Sequence, residues 1–262
     1  MRNLSLLLFF VNATIAAYSQ SLPKIQKLGV YAPNNIKIDG KANEWNGKYE
    51  AYDKKNDIYY TIANDNNNIY LLLHTSQKNT INKIFYGGIT FTLTSARQLP
   101  ISVSYPQPGN NGDYLKARQV FEQMKNKKPA NTKALDDLVR LKNTQFENSR
   151  KLMGIRGISE FSDPWISIYN TNGIKVKALF DDDFAYTYEV ALPLKYLPGG
   201  VNKLRYDIKL NGGDRGDGRQ RPPAPVLINN ATGEVRNTAN DMDQLYMENP
   251  TNFGGEYVLA RK

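Results

Sequence analysis

The run from Asp57 to His74, Asp-Ile-Tyr-Tyr-Thr-Ile-Ala-Asn-Asp-Asn-Asn-Asn-Ile-Tyr-Leu-Leu-Leu-His, constrains the fold more than any other stretch. Tyr60 and Ile62, and then Tyr70 and Leu72, alternate with their neighbours at period two, as side chains do along a β-strand. Asn64 to Asn68 supply a polar run between them, suited to a turn with left-handed backbone angles, so the whole predicts a hairpin. A hairpin is marginal alone and must bury a face against further strands. Just upstream, Asp39-Gly40 signals a tight turn that delivers Trp45, a residue with the size to plug one end of a β-core.

Alternation continues along the chain. It predicts a leading strand over Leu22 to Tyr31. After a polar turn over Asn79 to Asn82 comes a strand over Ile84 to Thr94, bent or bulged at Gly87-Gly88, and then one over Ile101 to Tyr105. The period then changes to helical. Tyr114, Ala117, Phe121 and Met124 share one face, and Pro129 ends that helix. A second helix is expected with Thr132 as N-cap, Asp136 and Asp137 near its positive end, and a stripe of Leu135, Leu138, Val139 and Leu141. Strands resume over Trp165 to Tyr169, Ile174 to Phe180, Phe184 to Leu192, Leu204 to Leu210 and Glu256 to Leu259. The expected fold is therefore mainly β: an antiparallel β-sandwich with a helical insertion at about 113–152. Asn211 to Pro225 reads as a long loop rich in Gly, Asp and Arg, of the kind that carries binding residues on a rigid scaffold.

Met1 to Ser19 reads as a secretory signal peptide, with Arg2 before the apolar run Leu6 to Val11 and Ala17-Tyr18-Ser19 as a small-x-small cleavage site. That run is too short to span a bilayer, so the expected mature chain, 20–262, is exported to the periplasm or medium without a membrane anchor. The chain contains no cysteine, which excludes a disulfide framework and a lipid-modified cysteine. Its formal net charge is +9. Between Tyr114 and Arg156 eleven Lys and Arg face four Asp and Glu, so the basic balance belongs to the helical segment.

Three stretches carry a family resemblance. Ile38-Asp39-Gly40 with Glu44-Trp45, followed by Asn64-Asp65 and Ile69-Tyr70-Leu71-Leu72-Leu73, resembles the opening of the family 9 carbohydrate-binding modules. Tyr186 to Leu194 resembles their "Tyr-x-x-Glu-hydrophobic-x-hydrophobic-Pro-Leu" strand, and Asn249 to Gly255 their closing "Pro-x-x-Phe-Gly". The resemblance implies a sandwich and, by analogy, a non-catalytic glycan-binding module acting as a monomer in glycan capture or carbohydrate catabolism. More distantly the chain resembles the DOMON sandwiches, some of which bind haem; His74, the single histidine, is then the candidate ligand, without a recognisable Met partner.

Sugar binding needs an aromatic face beside planar polar side chains. Trp165 is the candidate aromatic, with Arg215, Arg219 and Arg221 as hydrogen-bonding partners, while Trp45 is expected in the core. Asp214 and Asp217 form the candidate metal site. Glycines between them would let carbonyl oxygens approach a cation, and calcium is the ion such oxygen ligands suit; no other cofactor is expected. No Gly-x-Ser-x-Gly elbow, phosphate loop or His-Glu-x-x-His pair occurs, and no enzymatic activity is expected. A further class of partner is an acidic polymer held by the basic helical segment; export disfavours nucleic acid. Intact-mass measurement of protein recovered from periplasm or medium is expected to show loss of residues 1–19, and a retained Met1 would contradict it.

Overall fold

The computed structural model describes residues 21–107, 132–213, 227–228, 235–236 and 245–262. The expected leader over 1–19, the expected helix over 114–128 and the loop positions 214–225 lie outside these residues.

Among the described residues the chain is mainly β and forms two six-stranded sheets. Sheet I contains β1 (Val30–Tyr31), β2 (Ala51–Asp53), β3 (Ile58–Asn64), β4 (Asn68–Thr75), β9 (Lys175–Phe180) and β10 (Tyr186–Pro193). Its order is β1-β3-β4-β10-β9, with β2 also paired to β3. Sheet II contains β5 (Ile89–Ser95), β6 (Gln98–Tyr105), β7 (Leu152–Arg156), β8 (Trp165–Ser167), β11 (Lys203–Leu210) and β14 (Thr251–Val258). Here the order is β14-β11-β5-β6-β7-β8. A two-stranded ribbon joins β12 (Leu227–Ile228) to β13 (Val235–Arg236). Within the two sheets the pairings are antiparallel apart from β1 with β3. Among the described residues no helix is long and apolar enough to cross a membrane.

Period-two patterning explains the core. Tyr60 and Ile62 of β3, Leu71 and Leu73 of β4, and Tyr188 and Val190 of β10 meet Phe91, Ile208 and Phe253 of sheet II in one buried cluster. The Tyr60 and Tyr206 hydroxyls hydrogen-bond across it at 3.0 Å, so two phenols buried for their apolar rings satisfy one another. The expected hairpin forms, with one difference. Tyr70 and Leu72 belong to the opposite face of β4 from Ile69, Leu71 and Leu73, and both faces are buried. The turn is also closed differently. Instead of left-handed residues over 64–68, the Asp65 carboxylate accepts the Asn67 and Asn68 N–H groups at 2.7 Å each and the Tyr70 hydroxyl at 2.7 Å.

Other expectations are corrected. Asn79 to Asn82 is no turn, and Ile84 does not begin a strand: Lys78–Gly87 is helix α1. Ile81, Ile84 and Phe85 fall three and four apart and are buried, a helical period that prevails over the β-branched residues. Gly88 is the helix cap rather than a bulge, with φ +77° and its N–H on Ile84 O at 2.7 Å. The second expected helix is present as α2, Thr132–Ser149, in the chain between the paired strands β6 and β7. Its inward face is set by Val139, Leu135 and Phe146, and Leu141, expected on that stripe, is 52% exposed.

The expected leading strand over Leu22 to Tyr31 shrinks to Val30–Tyr31. Side-chain amides stand in for strand partners at two places. Gln26 donates Nε2–H to Ile62 O at 2.7 Å and accepts Ile62 N–H at 2.7 Å, filling the part of the β3 edge between β1 and β2. Asn143 of α2 does the same for β9, donating to Phe180 O at 2.9 Å and accepting Phe180 N–H at 2.9 Å. An amide is the one side chain that presents a donor and an acceptor with the spacing of a peptide group. Asn143→Ala orphans one N–H and one C=O, and Gln26→Ala orphans the same pair together with Leu28 O, which Gln26 also serves at 2.8 Å; urea unfolding is expected to show a loss of about 2 kcal/mol for each.

Candidate functional site

A single carboxylate organises the outer face of sheet I. Glu189 sits at an outward position of β10 and is fully buried. Its Oε2 accepts Gly40 N–H at 2.8 Å and Asp39 N–H at 3.1 Å, and its Oε1 accepts the Trp45 indole N–H at 2.9 Å. The 39–47 turn is thereby pinned to the sheet. Gly40 is required: its φ is +83°, and a Cβ there would lie 2.7 Å from the Leu179 side chain. Trp45 is buried as expected, but it does not plug the end of the main core. It covers a second small cluster with Ala63, Tyr70, Leu72 and Ala191 on the outer face of sheet I.

Burial pushes the Glu189 carboxyl up to about 7, against the pull of the indole and two amide hydrogen bonds, and Asp39 adds to the rise. Lys177, its cross-strand neighbour on β9, is turned away to Glu147 at 2.5 Å.

Beside this turn lies an open groove of about 1070 Å³. One wall is the turn, with Asn43 and Asn46; the other is α2, with Arg140 and Asn143; the floor is His74, Thr187 and Leu179. His74 Nδ1 is 3.1 Å from Thr187 Oγ1, and the imidazole is stacked on Tyr49 with centroids 5.6 Å apart. Burial lowers the His74 pKa, and Asp181 opposes the shift. Burial, with Asp181 and Glu189 nearby, raises the Tyr49 phenol to about 12. Tyr49 also tilts against Tyr59 at 5.7 Å, and Tyr59 stacks on Tyr52 at 4.5 Å, so aromatic rings continue from the groove floor across the sheet.

Several charges of the groove are engaged with near neighbours, while Lys41, Asp136 and Asp182 also line it. Glu147 takes Lys177 and the Tyr169 hydroxyl, which hold its carboxyl below the usual range. Arg140 pairs with Asp137 at 2.8 Å, and Asp181 accepts the N–H groups of Asp183 and Ala185 in its own turn. Over Thr132–Ser149, three basic residues, Lys133, Arg140 and Lys142, meet three acidic ones, Asp136, Asp137 and Glu147. The described helix of the insertion is therefore neutral overall.

Trp165, the aromatic expected to bind, begins β8 in sheet II and is half-buried, its ring so close to Gly154 that a Cβ there would approach it to 3.0 Å. It does not line the groove. Arg215, Arg219 and Arg221, and the candidate calcium ligands Asp214 and Asp217, lie outside the described residues. Among the described residues no group of three or more His, Cys, Asp or Glu is gathered to hold a metal ion. Sequence reasoning missed Tyr49, Tyr52 and Tyr59. Tyr59 was legible as outward-facing, one residue from the inward Tyr60, but only strand register aligns it with Tyr52 and His74.

Comparison of the chain with protein-family models, with curated proteins and with solved structures found no match.

Glu189 makes a prediction with a definite sign. The native chain holds this proton up to about pH 7, whereas an ordinary glutamate releases it near 4.5. Its contribution to stability is present below the lower value and is lost as pH rises through that window. Urea midpoints are expected to show a loss in wild type, relative to Glu189→Gln, of up to about 1.4 kcal/mol per pH unit between these values. Parallel pH profiles for the two proteins would contradict it.

Proposed function

We propose that the chain is an exported, non-catalytic glycan-binding module, an antiparallel β-sandwich of the family 9 carbohydrate-binding type, with its ligand in the groove on the outer face of sheet I. The observation that carries this reading is the groove floor, where Tyr49 stacks on His74 beside the Asn43 and Asn46 amides. Aromatic rings interleaved with amides suit a sugar, whose C–H faces pack on π-systems while its hydroxyls need neutral donors and acceptors. The mutual neutralisation of Glu147 with Lys177 and of Arg140 with Asp137 favours an uncharged ligand over an acidic polymer.

The family resemblance gains support from packing. Asp39, Gly40 and Trp45 of its first motif bond directly to Glu189 of its second. Residues 144 positions apart in sequence, Trp45 and Glu189, thus form one unit, as parts of a single structural signature should. That unit positions the groove wall and takes no part in chemistry.

Calorimetry of the mature chain against soluble plant and bacterial glycans tests the reading. A single groove with few hydrogen bonds predicts a Kd of roughly micromolar to millimolar. Tyr49→Ala is expected to weaken binding about tenfold, the cost of one aromatic contact. Trp165→Ala separates the two locations: unchanged affinity keeps the ligand in the groove, and a loss moves it to sheet II. Absence of binding across the panel would reject the glycan reading.

A further inference from the structure

Three aromatic side chains on the outer face of sheet I, Tyr52, Tyr59 and His74, stand in strand register. Tyr52 of β2 is paired with Tyr59 of β3, Tyr59 with His74 of β4, His74 with Thr187 of β10, and Thr187 with Leu179 of β9. These five residues therefore form one row at right angles to the strands, all on the outer face. Neighbouring strands are about 4.8 Å apart, so the row is about 19 Å long. Tyr49 is set over its middle, 5.7 Å from the Tyr59 ring and 5.6 Å from His74. At the β9 end the row passes beneath α2; at the β2 end Tyr59 is 39% exposed.

Such a row is unlike a clamp for one ring. A site for a single sugar gathers its rings around one point and closes over it. Here one ring comes from each of β2, β3 and β4, the groove is open, and its walls flank only the part containing His74 and Thr187. We infer that the occupant is a neutral glycan chain lying across the strands of sheet I, with several consecutive sugar units set along Tyr52, Tyr59, Tyr49 and His74. This assignment rests on the glycan reading above and adds chain length as the property recognised. Tyr52 becomes the residue that registers length, because it lies farthest from the walled part of the groove. Its hydroxyl hydrogen-bonds Asp57 Oδ1, which holds the ring in place against Tyr59.

The test is titration of the mature chain with cello-, xylo- and manno-oligosaccharides from one sugar unit upward, in wild type, Tyr52→Ala and Tyr52→Phe. In whichever series binds, affinity is expected to climb about tenfold or more from disaccharide to tetrasaccharide. Tyr52→Ala should abolish that climb, so that tetrasaccharide binds no more tightly than disaccharide to the variant. Tyr52→Phe keeps the ring and should keep the climb, and its thermal melt and that of Tyr52→Ala report whether the fold is intact. Equal affinity for monosaccharide and tetrasaccharide overturns the inference but leaves the glycan reading standing. So does a climb that survives Tyr52→Ala in a folded protein. If no saccharide of any length binds, the glycan reading itself fails.

Discussion

The outer face of sheet I depends on one buried carboxylate. Glu189 is enclosed on a strand whose inward neighbours Tyr188 and Val190 belong to the main core, and it is committed to three donors on a single turn. Without it, two backbone N–H groups and an indole N–H would be orphaned beneath Trp45, a cost of several kcal/mol in sum. With it, the turn is held against the sheet, Trp45 seals a second apolar cluster, and the groove acquires a fixed wall. The cost is a carboxyl taken out of water, which appears as its raised pKa.

The same economy of polar groups recurs at the strand edges. β3 has two short partners on one side, and the gap between them is filled by Gln26; the exposed edge of β9 is closed in part by Asn143. Unpaired edges invite pairing with other chains, and an amide side chain removes the vacancy without adding a strand. Because Asn143 belongs to α2, its two bonds also fasten the groove's second wall to the sheet that forms the floor. Walls and floor are thus joined by hydrogen bonds that leave the groove open along its length.

Buried groups away from the groove show how closely the rest is packed around polar exceptions. Lys83 of α1 is fully buried, donates to Thr251 Oγ1 at 2.9 Å and lies 4.2 Å from the Tyr246 ring centroid. Burial lowers its pKa to about 8. In turn Thr251 donates to Asn56 Oδ1 at 2.6 Å, and Thr80 donates to Asn56 O at 2.6 Å. This network ties α1 to β14 and to the turn before β3, and so connects the end of sheet II to sheet I.

Much of the fold was legible because it is written in short-range pattern. The strict alternation of Ile89, Phe91 and Leu93, of Leu204, Tyr206, Ile208 and Leu210, and of Tyr60 and Ile62 leaves β-strands with one face inward as the arrangement that buries them. The helical spacing of Leu135, Leu138 and Val139 after Thr132 marked α2 for the same reason. Reading failed where two patterns competed: Ile81, Ile84 and Phe85 fit a helix, yet Ile84 also begins an apolar run that continues into β5. The candidate site was far less legible. Tyr52, Tyr59, His74 and Thr187 are separated by up to 113 residues for the His74–Thr187 contact, and nothing local to any of them specifies that they share a row. Sequence by itself determined most of the longer strands, the inward faces of β3, β5 and β11, and the turn that delivers Trp45. Tertiary structure alone decided the order and register of those strands, and hence which outward side chains meet, because pairing between strands is set by packing of the whole core and not by the residues that come to lie on the surface.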